Sequence, residues 1–417
     1  MTKRLSSNRR TRVDVTPKPR VVIFSDHLLY PSETFIQAQA SALREYEPVF
    51  AGSRRVAGLQ LPRERVYTVN PGSLSGRIHE LRLKILGSAP TLVKQLVALS
   101  PVLLHAHYGP NGLWSLPLAS RLKVPLIVTF HGSDAAIADL RYQKASLGFR
   151  YYFANKGKLK KSESVFLAVS KFVERKLLEQ QFPPERIFVQ YTGVDTRKFR
   201  PASTEDRPII LFVGRMVEFK GPEFLILAAS EVQRQFPAVE VVLIGDGPLR
   251  KDLERLAKQS LRRFSFLGVR TPEEVRDWMN RASTLCMPSV TTRSGEAEGF
   301  GMVCVEAQAV GKPVVAFSSG GIPEIISHGV TGFLAPERDW RALARNLATL
   351  VENAELRQRF GRSAREVVLR QFDLEQCTRK LEGVYGLVVN TDQPKEGTLD
   401  GTFLWSDTAV NSNRGAA

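Results

Sequence analysis

The chain has 417 residues, 43% of them hydrophobic and 24% charged, with a formal net charge of +17. Such composition excludes a disordered or fibrous protein and predicts two or three folded domains with sizeable cores. The basic balance asks for an acidic partner, which narrows to nucleic acid, an anionic bilayer or a phosphorylated substrate.

Residues 1–19 carry Lys3, Arg4, Arg9, Arg10, Arg12 and Lys18 without an apolar core. They read as a basic, disordered N-terminus rather than a secretory signal. Residues 20–25 form an apolar run of strand length, followed by a turn at Pro31 and a helix over 33–46 with Ser32 as its N-cap. Further strands are predicted at 47–51, 102–106, 126–130 and 165–169, and helices at 91–100 and 171–181. Continuous apolar strands alternating with helices mean a parallel sheet covered on both faces, with ligands at the carboxyl ends of its strands. The loops at 26–34 and 131–134 lie at such ends. Between Arg141 and Lys161, the basic Arg141, Lys144, Arg150, Lys156, Lys158, Lys160 and Lys161 interleave with Tyr142, Phe149, Tyr151, Tyr152 and Phe153. That mixture suits either a membrane interface or a charged helix face packed through its aromatics.

Residues 195–207 lack apolar periodicity and read as a linker, after which the pattern restarts. Strands at 208–213, 239–244, 264–267, 284–287 and 314–317 alternate with helices at 223–235, 249–259, 272–280, 339–352, 355–369 and 375–389. The expected organisation is a first domain over 20–200, a second over 201–372, a helix within 373–390 and a polar, disordered tail over 391–417 that contains the apolar Phe403-Leu404-Trp405. No run reaches the ~18 apolar residues of a spanning helix. The three cysteines, Cys286, Cys304 and Cys377, lack disulfide or zinc spacing, so a cytoplasmic protein is expected.

Residues 298–311, Glu-Gly-Phe-Gly-Met-Val-Cys-Val-Glu-Ala-Gln-Ala-Val-Gly, place an acid and two glycines before a short helix that closes on Gly311. Free N–H groups at and after Gly301 carry partial positive charge and make a phosphate seat. Glu298 and Glu306 beside that seat suit a polyol, because carboxylates accept paired hydrogen bonds from neighbouring hydroxyls. Arg215 and Lys220, in the loop after the strand at 208–213, supply a guanidinium and an ammonium able to neutralise a diphosphate. No triphosphate-binding Gly-x-x-x-x-Gly-Lys-Ser/Thr is present, and Gly245-Asp246-Gly247-Pro248 lacks the third glycine of a dinucleotide fingerprint. His131 stands at a strand end. His105 and His107 share a strand face but have no third metal ligand in sequence, and no Asp-x-Asp occurs.

The 298–311 block, with Pro288-Ser289 before it and Lys312-Pro313-Val314-Val315-Ala316 and Gly320-Gly321-Ile322-Pro323-Glu324-Ile325 after it, resembles the donor-site pattern of family-4 retaining glycosyltransferases. The likeness extends to Val213-Gly214-Arg215-Met216-Val217-Glu218-Phe219-Lys220-Gly221 and to Thr129-Phe130-His131-Gly132-Ser133-Asp134. It implies the α/β GT-B fold, two Rossmann-like doubly wound parallel-sheet domains facing across a cleft, with the 373–390 segment crossing back onto the first. It also implies a UDP-, GDP- or ADP-sugar donor held mainly by the second domain. In that reading Arg215 and Lys220 hold the diphosphate, Glu298 the sugar hydroxyls and Glu306 the ribose. Gly299, Phe300 and Gly301 line the donor, Gly245, Gly268, Val269 and Arg270 lie near base and ribose, and His131 orients the sugar. Neither metal nor cofactor is implied.

Ser32-Glu33-Thr34-Phe35 is similar to the branch that builds exopolysaccharides and lipid-linked oligosaccharides, which puts Ser32, Glu33 and Thr34 on the acceptor side. The family's usual Gly-Gly loop after the first strand is absent here, and Thr192 replaces its usual Asn. The expected enzyme is a metal-independent retaining hexosyltransferase acting on a saccharide or polyprenyl-diphosphate-linked acceptor, peripheral on an anionic membrane. No nucleic acid is expected, because no recognition module is visible. Rival readings are a catalytically silent sugar-binding subunit of an assembly complex and a nucleotide-dependent oxidoreductase, the latter disfavoured by the incomplete glycine fingerprint.

Overall fold

Val21, Val22, Ile23 and Phe24 are all buried, as a strand covered by helices on both faces requires. They form β1 (Arg20–Phe24) in a computed structural model that describes residues 17–136, 147–202 and 207–390. β1 is followed by β2 (His27–Leu28), β3 (Glu47–Arg55), β4 (Val66–Asn70), β5 (Leu103–His107), β6 (Leu126–Phe130), β7 (Val165–Ala168) and β8 (Ile187–Val189). The sheet runs β2-β3-β1-β5-β6-β7-β8, with β4 also paired to β3, and every pairing is parallel. Its helices are α1 (Thr34–Ser41), α2 (Leu74–Leu86), α3 (Pro90–Val97), α4 (Gly109–Leu122), α5 (Ser133–Ala136), α6 (Leu147–Lys161) and α7 (Lys171–Glu179).

The second sheet contains β9 (Ile209–Val213), β10 (Glu240–Ile244), β11 (Phe264–Gly268), β12 (Thr284–Met287), β13 (Val314–Phe317) and β14 (Gly332–Ala335). Its order is β11-β10-β9-β12-β13-β14, again all parallel. Around it lie α8 (Pro222–Gln235), α9 (Arg250–Ser260), α10 (Pro272–Arg281), α11 (Met302–Ala309), α12 (Trp340–Glu352) and α13 (Ala354–Gln371). Strand order reverses at β1, between β3 and β5, and at β9, between β10 and β12. The loops after β1 and β9 therefore open into the two crevices where doubly wound sheets hold ligands.

The last helix, α14 (Leu374–Val389), returns to the first sheet: Leu381, Val384 and Tyr385 are buried with Val21, Ile23 and Phe50. The Glu382 carboxylate accepts from the N–H groups of Arg44 and Glu45, each at 2.7 Å. Where the chain passes between lobes, Val194 donates to the Phe372 carbonyl at 2.8 Å and Leu374 donates to the Val194 carbonyl at 2.9 Å.

One expectation is corrected. Helix α1 starts at Thr34 and stops at Ser41, and Ser32 is an exposed turn residue that caps nothing. Glu33 occupies the cap position with its carboxylate turned back to the Tyr30 N–H, and Glu382 takes the amides of Arg44 and Glu45 that a longer helix would use. Of the two readings of the basic-aromatic stretch, the described residues fit the charged helix face packed through its aromatics, with Arg150, Lys158 and Lys161 exposed. Tyr152 and Phe153 of α6 are buried, Lys156 donates to the Gln180 side chain, and Lys160 donates to its carbonyl. Arg141, Tyr142 and Lys144 lie outside the described residues, as do 1–16 of the N-terminus, 203–206 of the linker and the 391–417 tail. The three cysteines are buried and free. No helix among the described residues is long and apolar enough to cross a membrane.

Glu382→Ala leaves two half-buried N–H groups without their acceptor. Urea unfolding is expected to show a loss of about 1–3 kcal/mol.

Candidate functional site

β9 delivers the chain to Gly214, whose N–H donates to the Ile244 carbonyl, and the following loop turns through Glu218–Lys220 into the left-handed Gly221. Phe219 is buried under this turn, with the Arg215 guanidinium 5.7 Å and the Lys220 ammonium 5.2 Å from its ring centroid. One phenyl ring thus seats both cations on the ligand edge of the sheet. Arg215 is exposed, whereas Lys220 forms an ion pair with Glu298 in which the two side chains are 15% and 12% exposed.

The neighbouring strand ends close around this turn. Gly245, at φ +127°, donates to the Gly268 carbonyl at 2.9 Å, and a Cβ on it would collide with the Gly214 carbonyl. Val269 is 67% exposed, and Arg270 is exposed, bonded to the Val269 carbonyl and 3.7 Å from Glu274. On the other side, Gly301 at φ +102° is the N-cap of α11 and supplies no side-chain cap. Cys304 donates to the Gly301 carbonyl at 2.9 Å, and the N–H groups at the helix start carry partial positive charge. Phe300 does not point at this edge: its ring packs on Tyr191 and Phe372, each at 5.5 Å, so Phe300 offers the site only its main chain. Glu306 is half-buried on α11, and burial pushes its carboxyl up to about 7 with Lys198 opposing.

From the first lobe, His131 follows β6. Its Nε2 shares a 3.0 Å hydrogen bond with Nδ1 of His107, and its ring lies 4.6 Å from Tyr108 and 5.0 Å from Phe35. Burial holds the imidazole well below its ordinary pKa, so it is neutral at pH 7. Asp134 fixes this loop by accepting from the N–H groups of His131, Gly132 and Gly109. Its carboxyl is raised to about 6 by burial, against those three bonds. Glu33 is also raised by burial, with the Tyr30 N–H and Tyr108 O–H opposing. Ser32 is exposed and Thr34 half-buried beside it.

The lobes meet main chain to main chain. A Cβ on Gly299 would collide with the His131 carbonyl, and one on Gly321 would collide with the Gly299 carbonyl. The Ser170 hydroxyl donates to the Gly299 carbonyl at 2.6 Å. Glu324, of the second lobe, accepts from the first N–H groups of α7, Lys171 and Phe172, each at 2.8 Å, and from the Tyr191 hydroxyl at 2.9 Å.

The sequence therefore marks residues that the fold does bring together: His131 on one side, and Arg215, Lys220, Glu298 and Gly301 on the other. It does not mark three others. Glu296 lies within the fields of Arg215, Lys220 and Glu298, and Tyr108, held at φ +73°, feels Glu33, Asp134 and Arg215. Phe219 is legible only as an apolar residue between Glu218 and Lys220. His105 and His107 are not a metal pair, since His105 is fully buried between Tyr385 (2.6 Å) and Thr129 (2.7 Å). Among the described residues, the ligand-type side chains clustered tightly enough for an ion are Asp26, His27 and Glu80. Lys84 already bonds both acids, at 2.8 and 3.0 Å.

Comparison with known proteins fits this geometry. Residues 14–198 match the model of Glycosyltransferase Family 4 and residues 194–367 that of Glycosyl transferases group 1. An uncharacterized glycosyltransferase of Methanocaldococcus jannaschii is 35% identical over 68% of this chain and 74% of its own. A putative colanic acid biosynthesis glycosyltransferase of Escherichia coli is 30% identical over 66% and 68%, and the amylovoran biosynthesis glycosyltransferase of Erwinia amylovora is 31% identical over 58% and 60%. Among solved structures, Anabaena HepE in complex with UDP-glucose superposes with a TM-score of 0.71 at 20% identity, over 88% of this chain and 99% of that one. WaaG, a glycosyltransferase involved in lipopolysaccharide biosynthesis, gives 0.62 at 17% identity, over 87% and 99%. The two parallel-sheet lobes have the GT-B fold of these enzymes.

Gly299→Ala should force the apposed loops apart and lower the melting temperature by several degrees. Gly157→Ala, at an exposed position of α6 with nothing within 4 Å of the added carbon, is the control and should stabilise by about 0.5–1 kcal/mol. Paired thermal melts check both.

Proposed function

This chain belongs to glycosyltransferase family 4, and on that footing we propose that it transfers a hexosyl group from a nucleotide diphosphate sugar with retention of anomeric configuration. The observation that carries the reading is the convergence of Arg215, Lys220, Glu298 and the start of α11 on one edge of the second sheet, opposite His131 and Tyr108. As the anomeric C–O bond breaks, negative charge grows on the leaving diphosphate. Preorganised cations and N–H dipoles aimed there lower the barrier without reorganising at the moment of reaction. Arg215 and Lys220 supply the cations, with the α11 N–H groups beside them, and no metal is needed in this scheme.

Lys220 bridges phosphate and protein: its ammonium keeps Glu298 in place while meeting the diphosphate, and Glu298 retains lone pairs for sugar hydroxyls. Glu306 takes the ribose hydroxyls. The loops at Gly245 and at Gly268, Val269 and Arg270 frame the base. Neutral His131 acts as a hydrogen-bond partner to the sugar rather than as a charged acid. The acceptor hydroxyl enters from the first lobe near Ser32, Glu33 and Thr34. Its oxygen bonds to the anomeric carbon on the face the diphosphate leaves, and its proton passes to a diphosphate oxygen. Lobe contacts through Gly299 exclude water and favour transfer over hydrolysis.

Relatives named for colanic acid and amylovoran biosynthesis support an acceptor in cell-surface polysaccharide assembly. The neighbour bound to UDP-glucose supports a nucleotide-sugar donor. We take the acceptor to be a saccharide or a polyprenyl-diphosphate-linked saccharide at the inner, anionic face of the membrane, which suits a charge of +17.

A thermal-shift panel of UDP, GDP and ADP sugars tests the donor. One nucleotide class is expected to stabilise the protein by ~2.7 kcal/mol at about 100 times its dissociation constant, and Lys220→Ala to abolish the shift. EDTA should leave turnover unchanged, and NMR of the first-formed product should show the donor's anomeric configuration. The pH dependence follows from Glu306: a carboxyl titrating near 7 is neutral below that value and a better ribose acceptor above it. Nucleotide affinity should rise from pH 6 to 8 and level off, and Glu306→Gln should flatten that rise in calorimetric titrations.

A further inference from the structure

Helix α2 presents an apolar stripe to solvent. Leu74, Ile78, Leu81 and Ile85 are 80%, 70%, 58% and 60% exposed, and Leu86 at the end of the helix is 68% exposed. Spacings of four, three and four residues put the first four on one face. The opposite face, with Gly76, Glu80 and Leu83, is buried. There Asn70 of β4 bonds Glu80 at 3.4 Å, and a Cβ on Gly76 would strike the Asn70 side chain. An ordinary surface helix turns its apolar face inward; this one buries Gly76, Glu80 and Leu83 and leaves its apolar stripe exposed, with no described residue covering it. A contiguous patch of this kind marks an interaction surface.

Charge selects the partner. Glu80, the one acid of the helix, is turned inward and engaged by Lys84 at 3.0 Å, while Arg77 and Arg82 are exposed on either flank of the stripe. A second copy docking through this face would bring those guanidiniums against their counterparts. An anionic bilayer instead receives the aliphatic side chains below its headgroups and the two arginines at phosphate level. We infer that the outer face of α2 docks the protein on an anionic membrane surface. The inference deepens the proposed function and rests on its membrane-borne acceptor. Lys84, from the same helix, bonds Asp26 in the loop after β1 at 2.8 Å. Docking through α2 therefore brings the ligand edge of the first lobe to the bilayer.

The test is co-sedimentation of the full chain with vesicles of phosphatidylcholine alone or mixed equally with phosphatidylglycerol. Wild type should bind the anionic vesicles about tenfold or more in preference. The triple change Ile78→Ser, Leu81→Ser, Ile85→Ser should abolish binding, and Arg77→Gln with Arg82→Gln should remove the preference. Both variants should keep the wild-type melting curve and nucleotide shift, because only solvent-facing atoms change. Undiminished binding by the triple variant, equal binding of wild type to both vesicles, or a dimer that the triple variant dissociates in size-exclusion chromatography would each overturn the inference. Vesicle binding lost in the triple variant, with no nucleotide shift in wild type, would uphold the docking face and count against the donor reading alone.

Discussion

The site depends on main chain meeting main chain. Loops from three strand ends, at 131–132, 298–299 and 320–321, stack so closely that a methyl group on Gly299, Gly320 or Gly321 would fall within a backbone neighbour. Glycine permits that approach, and the approach draws the lobes together at the mouth of the second sheet. With side chains removed from the contact, the carbonyls of His131 and Gly299 become part of the wall. Asp134 and Ser170 hold those carbonyl-bearing loops in place.

Around this wall, the charges are arranged by packing rather than by sequence proximity. Phe219 lies beneath Arg215 and Lys220, and Glu298 arrives from a loop 78 positions away to neutralise the more enclosed cation. A half-buried ion pair contributes little net stability against the desolvation of its members. In the proposed reaction its value lies in holding an ammonium ready for the diphosphate. The first lobe answers with groups that are neutral or held by hydrogen bonds: the His131 imidazole, the Tyr108 hydroxyl and the Glu33 carboxylate.

Much of this was readable from residue pattern. Strands over 126–130, 284–287 and 314–317 coincide with β6, β12 and β13, because runs buried on both faces leave no ambiguity of period. The helix start at Gly301 follows from local chemistry alone. What escaped has physical causes. Helix α2 turns its apolar stripe to solvent and buries Gly76, Glu80 and Leu83, the reverse of the pattern by which a surface helix is recognised. Helix α4 contains Pro117 and opens on glycines that lie against Phe130 and Val128, which reads locally as a breaker. β4 and β14 are edge-side strands with partly exposed residues. Tyr108 and Glu296 earn their places through contacts that fold together distant parts of the chain, and local sequence carries no trace of them. The tyrosines and phenylalanines of α6 were ambiguous because a cation every few residues looks alike on a solvated helix and on a lipid-facing one.

Glu324 has a consequence for how such a molecule breathes. It belongs to the second lobe yet ends a helix of the first, accepting from Lys171 and Phe172 at 2.8 Å. Any excursion that parts the lobes takes Glu324 from the first two N–H groups of α7, leaving Ser170 as its remaining cap and two amide hydrogens facing water at the positive end of a dipole. Separation is thereby tied to fraying of one short helix. Admission of reactants and escape of products then share a toll set by the chain itself, before any ligand has arrived.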